Sequence, residues 1–180
     1  MYEYEIEIAN DQETHPLDLD RLRTVVRETL QTERVMQACI SVVVVDDPQI
    51  HELNREFLNH DYETDVLSFL LEQSQLRDPT DDEARLRAAG QRIEGEVVIS
   101  ADTAARMAAD FDWSPEDEVV LYLVHGLLHL CGYDDLSESE QSLMRTRERE
   151  ILKRWNLFPR YAEETCETAV DGADPHRQES

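Results

Sequence analysis

His125-Gly126-Leu127-Leu128-His129-Leu130-Cys131-Gly132-Tyr133-Asp134-Asp135 follows an uncharged run, Val119, Val120, Leu121, Tyr122, Leu123 and Val124. A helix apolar on all sides is a buried helix. Its start is marked by Ser114 as N-cap, Pro115 at the first helical position and Asp117 as the capping-box acid. Gly132 is suited to end it. The predicted helix therefore spans 115–131, with His125 and His129 near its C-terminal end. Positions four apart on a helix lie about 40° apart around the axis and roughly 6 Å apart along it. Both imidazoles project from one face, a spacing that suits a single metal ion. Beyond Gly132 the chain turns and brings Asp134 and Asp135 back past the helix end. Two imidazole nitrogens plus a carboxylate oxygen form a zinc set that leaves a fourth position open. The competing reading is two core histidines, each satisfied by an ordinary hydrogen bond.

The stretch resembles the signature of the YbeY family, endoribonucleases of bacterial ribosomal RNA maturation, which reads His-Gly-x-Leu-His-Leu-x-Gly-Tyr-Asp-His. The chain departs at the last position, where the family's third histidine is Asp135. The expected metal ligands are His125, His129 and Asp135. A second block, Leu53-Asn54 through Phe57 and Asp61 to Thr64-Asp65-Val66-Leu67-Ser68-Phe69, is similar to another motif of that family. By itself it reads as helix, loop and strand, with Thr64-Asp65 a turn before the strand. The family's arginine in this block is Leu58 here. Arg55, three residues earlier on about the same helix face, is a candidate substrate contact, or a solvated surface residue. The third block is Gly95-Glu96-Val97-Val98-Ile99-Ser100, where Glu96 stands for the family's usual aspartate. Thr64, Asp65, Ser68, Glu96 and Asp134 are the candidates for catalytic roles.

Around these blocks the chain reads as one domain, residues 1–160, followed by an acidic, disordered tail from 161 to 180. Tyr2 to Ile8 alternates aromatic or aliphatic with Glu, a strand. Leu19, Leu22, Val26 and Leu30 give a helix over about 17–33, and Ala38–Val45 is a buried strand, parallel to the first. Asp47 as N-cap and Pro48 open a second helix with Ile50, Leu53 and Phe57 as its buried stripe. Val66–Leu71 is a third strand, 72–92 an exposed polar insert with a weak helical signal, and Ile93–Ser100 a fourth strand antiparallel to the third. A helix over 101–112 precedes the His helix. Ser137-Glu138-Ser139-Glu140 is a capping box that opens a last helix to about Arg154. The fold class is α+β: a four-stranded mixed sheet with about five helices, in the order β-α-β-α-β-β-α-α-α.

The net charge of −24 includes −5 from residues 161–180. A chain this acidic is no indiscriminate nucleic-acid binder, because phosphate contacts need Lys and Arg. Cys39, Cys131 and Cys166 are too few and too scattered for a disulfide framework, and Cys131 reads as a small buried hydrophobe. His15, His51, His60 and His176 have no partner at ligand spacing. No apolar run approaches the ~20 residues of a membrane span, and the N-terminus lacks the pattern of a signal peptide.

The resemblance implies a single-strand-specific endoribonuclease with one Zn²⁺ or similar transition ion per chain. It would act in the cytoplasm in ribosomal RNA maturation and ribosome quality control, with ribosomal RNA and small-subunit components as partners and neither membrane nor DNA involved. Two rivals stand beside it. One is a non-enzymatic ribosome-associated factor with a structural or degenerate metal site. The other is a metallopeptidase, which needs a Glu after the first His, where this chain has Gly126.

Overall fold

The computed structural model describes residues 1–161. Its elements run β1 (Glu3–Asn10), α1 (Leu19–Thr32), β2 (Gln37–Val45), α2 (Asp47–Leu58), β3 (Val66–Gln75), β4 (Gln91–Ser100), α3 (Ala101–Ala109), α4 (Pro115–Leu130) and α5 (Glu138–Leu152). The sheet order is β1-β2-β4-β3. β1 and β4 both lie parallel to β2, and β3 runs antiparallel to β4 as an edge strand. The expected order, the parallel first pair and the antiparallel hairpin are all present.

Strand alternation divides the residues between two faces. Val42, Val44, Val97 and Ile99 point into the main core with Leu123, Leu127 and Leu128 of α4. Val45, Leu67 and Val98 point the other way and form a small second core with Ile50 of α2. The His helix is buried over most of its length, as its apolar sequence requires, and α1, α3 and α5 pack around it. Ser114 caps its start with the reciprocal bond to Asp117, and Gly132 turns the chain with φ +90°.

Several expectations are corrected. The N-cap of α2 is Asp46, which forms the capping box with Gln49. Asp47 instead turns inward, accepting from Ser100 Oγ at 2.5 Å, Thr103 Oγ1 at 2.8 Å and Arg106 Nη1 at 2.5 Å, and so ties α2 to α3. Phe57 is not buried: it lies on the exposed side of α2 and meets the ring of Phe69 edge-on at 5.7 Å. At α5 only half of the expected capping box forms. Ser137 Oγ accepts from the Glu140 amide at 3.3 Å, while the Glu140 carboxylate reaches out to Arg87. The insert is shorter than 72–92, because Glu72–Gln75 and Gln91–Arg92 pair across the hairpin. Its helical signal yields a single turn, Asp81–Glu83, and Ala88 and Ala89 beyond it are buried. The tail from 162 onward lies outside the described residues, but Tyr161 is half-buried against α5.

Candidate metal centre

α4 presents His125 and His129 on one face with their Nε2 atoms 3.0 Å apart. The outer nitrogens are both committed. His125 Nδ1 lies 2.6 Å from Oε1 of Glu148, a buried carboxyl on α5. His129 Nδ1 lies 3.1 Å from the carbonyl oxygen of Tyr133. A carbonyl and a carboxylate accept hydrogen bonds, so each ring carries its proton on Nδ1 and turns the Nε2 lone pair inward. Asp135 completes the group, with Oδ2 3.6 Å from His125 Nε2 and Oδ1 3.7 Å from His129 Nε2. One ligand atom from each of the three residues falls within 4.8 Å of the others.

Three acceptors converging without a donor repel one another unless a cation lies among them. The donor set, two imidazoles and one carboxylate, fits a transition ion, and orientation of each histidine by an outer acceptor is the usual support of such a site. Electrostatics keep the two histidines distinct. Burial pushes the His125 pKa down, but the bond to Glu148 and the charges of Glu148 and Asp135 outweigh it and raise the value. His129 is lowered by burial and by its neighbour His125.

The loop that carries Asp135 is fixed from several sides. Asp134 Oδ1 accepts from the amides of Asp135 at 2.7 Å and Leu136 at 3.2 Å, so Asp134 shapes the turn. Arg87 lies over the Tyr133 ring and donates to the Gly132 carbonyl. The Tyr133 hydroxyl donates to Glu33 at 2.8 Å, and Glu33 in turn accepts from Arg147 Nε at 3.0 Å. Glu33 and Arg147 are buried at 0% and 5% exposure, a charged pair enclosed in the core behind the site.

A cleft of about 280 Å³ opens from His125 and Asp135. Asp65 lines it, as do Glu118, Tyr122, Arg145 and Tyr161. Thr64 stands beside Asp65, its hydroxyl donating to Oδ1 at 3.1 Å. Ser68 faces α4 at Gly126, where an added Cβ would sit 3.0 Å from its Oγ. Glu96 is not brought to this site: it is on the opposite face of the sheet, in a groove with Val43, Leu53 and Val98. Arg55 is exposed on α2. His51 meets Asp61 at 2.9 Å, His15 meets Asp102 at 3.2 Å, and His60 stacks on Tyr62, all away from the His pair.

Glu148 and Glu118 escaped the sequence reading. Glu148 lies in Arg145-Thr146-Arg147-Glu148-Arg149-Glu150, a run that looks like a solvated helix face, and nothing in it singles out one acid. Glu118 had a signal, since it begins the apolar run of the His helix. Gly126 answers the peptidase rival. A Cβ at this position would lie 2.7 Å from Val97 Cγ1, so a side chain here would strike the sheet instead of serving as a base at the site.

The family model described as Endoribonuclease YbeY matches residues 7–156. The chain is 39% identical over 151 residues to the Endoribonuclease YbeY of Salinibacter ruber, covering 84% of this chain and 92% of that one. It is 34% identical over 159 residues to that of Syntrophotalea carbinolica, covering 88% and 97%. The solution structure of TM1509 from Thermotoga maritima shares the fold, with a TM-score of 0.50 at 20% identity over 96% of this chain and 99% of that one.

Proposed function

The chain belongs to the YbeY family of endoribonucleases, and we propose that it cleaves single-stranded RNA at one zinc-type ion held by His125, His129 and Asp135. The enzyme is a metal-dependent endoribonuclease. The observation that carries the site is the pair of Nε2 atoms 3.0 Å apart, each ring with its Nδ1 already bound to an acceptor. A bound ion supplies Lewis-acid stabilisation of charge developing on the phosphodiester.

The chain's own groups do the rest. Glu148 and the Tyr133 carbonyl hold the imidazoles in one tautomer and orientation. Asp135, with its side chain 38% exposed, sits where the site meets solvent, so substrate approaches from its side. The cleft beside it joins a carboxylate, Asp65, to arginines 145 and 160 and to apolar and aromatic walls. Arginine suits the phosphate, and aromatic faces suit unstacked bases, which supports an unpaired strand over a duplex.

Ribosomal RNA as substrate, small-subunit components as partners and a cytoplasmic setting rest on the family resemblance. Among the described residues no helix is long and apolar enough to cross a membrane. The test is cleavage of matched single-stranded and duplex RNA, with and without chelator. The proposal expects single-strand cleavage that chelation abolishes and added Zn²⁺ restores. Chelator-resistant cleavage, or equal cleavage of the duplex, would contradict it.

A further inference from the structure

We infer that Glu118 is a specificity-determining residue that reads the edge of one unpaired nucleobase held in the cleft beside the His pair. The inference rests on the endoribonuclease reading and deepens it. Glu118 is 4% exposed, yet it lines the cleft that reaches His125 and Asp135. The walls around it are Met107, Phe111 and Leu121, with Tyr161 farther along. Apolar and aromatic surface beside a buried carboxyl suits a flat, partly polar ligand. Glu118 precedes His125 by seven residues on α4, roughly 10 Å along the axis. It is therefore set to contact a neighbour of the reacting nucleotide, not the bond that breaks.

The chemistry of the carboxyl sharpens the choice of base. Burial raises its pKa to about 7, the Asp65 charge adds to the rise, and a hydrogen bond from Tyr122 draws it back in part. The other charged or titratable groups around the cleft are His125 on α4, Arg106 on α3, Arg145 and Glu148 on α5, and Asp135, Arg160 and Tyr161 from the flanking loops. A protonated carboxyl offers one donor beside one acceptor; an ionised one offers acceptors alone. Every base presents a donor beside an acceptor on its Watson–Crick edge, and guanine alone also presents two neighbouring donors. The protonated acid fits all four bases, and the ionised acid selects guanine.

The test is binding of cytidine and guanosine 5′-monophosphate to the full-length protein at pH 6 and pH 8.5, by calorimetry. It compares wild type, Glu118→Gln and Glu118→Leu, with thermal unfolding to confirm the fold. At pH 8.5 the wild type binds the guanosine nucleotide roughly tenfold more tightly, within the range of one bidentate base contact. At pH 6 that preference shrinks. Glu118→Gln, whose amide keeps a donor and an acceptor, shows no guanosine preference at either pH value. Glu118→Leu shows none at either. If the leucine variant does not fold, the wild-type and glutamine pair still decides. Equal affinities in the wild type at pH 8.5, no binding of either nucleotide, a guanosine preference that survives Glu118→Leu, or the same pH response in Glu118→Gln overturns the inference. RNA cleavage by the same preparations separates the two readings. Cleavage without nucleotide preference sinks the base site alone; nucleotide preference without cleavage sinks the nuclease reading alone.

Discussion

His125 Nδ1 lies 2.6 Å from Oε1 of Glu148, a carboxyl that is 2% exposed and whose other oxygen accepts from the hydroxyl of Tyr161. One buried acid thus joins the His helix, the last helix and the start of the C-terminal segment. Groups that orient a metal-bound histidine typically contribute 10–100-fold to metal affinity. Glu148→Ala is expected to weaken Zn²⁺ binding by about that factor without removing a ligand. Competition with a chromogenic chelator measures it, and unchanged affinity would mean the histidine is held by its own packing.

Asp135 stands where the family signature has histidine. Its carboxylate faces both Nε2 atoms at 3.6 and 3.7 Å, whereas Asp134 spends Oδ1 on two backbone amides. Asp135→Ala should cost metal affinity strongly, and Asp135→His should preserve or tighten it. A carboxylate adds negative charge and hard-ligand character, so the wild type should work at higher pH and accept Mn²⁺ more readily than Asp135→His. If Asp134→Ala loses the metal and Asp135→Ala keeps it, the ligand has been assigned to the wrong carboxylate.

The buried Glu118 makes stability depend on pH. Its carboxyl titrates near 7 in the folded chain against an ordinary value of 4.5. Between those values the folded state holds a proton that the unfolded state has released, so stability falls as pH rises. The contribution is complete below about 4.5 and is lost as pH passes through about 7. Glu118→Gln should therefore raise the melting temperature relative to wild type more at pH 8 than at pH 5. An equal offset at both pH values would show that Glu118 ionises freely in the fold.

Behind the site, Arg147 and Glu33 form a pair with almost no solvent contact, and Glu33 also accepts from the Tyr133 hydroxyl. Breaking a buried pair on one side leaves an uncompensated charge, typically at a cost of about 3–5 kcal/mol. Arg147→Met should destabilise by that amount in denaturant titration. A loss below about 1 kcal/mol would mean water reaches Glu33.

The order of elements along the chain and the His helix were legible because both rest on local patterns. The charge-free run before His125 can only be buried, and the Ser114-Pro115-Asp117 start admits one register. Positions decided by tertiary partners were not legible. Asp46 and Asp47 are equivalent as cap candidates until Ser100, Thr103 and Arg106 draw Asp47 inward. Phe57 has helical spacing with Ile50 but lies beyond the edge of the small second core. Glu96 shares its strand with core residues, and only the pleat sends it to the far face. Two of the three proposed ligands were fixed by spacing on one helix, while Glu148 depended on where a separate, highly charged helix docks.

Metal content of the purified protein, set beside that of His129→Ala, tests the account most directly. His129 contributes one of the two converging Nε2 atoms and lies away from the Glu148 contact. The account predicts about one equivalent of zinc or a similar transition ion per wild-type chain, retained through dialysis, as for a three-ligand catalytic site. It predicts loss of that ion in a folded His129→Ala. Full occupancy in the variant, or a wild type that takes up no ion even when Zn²⁺ is supplied, would contradict it.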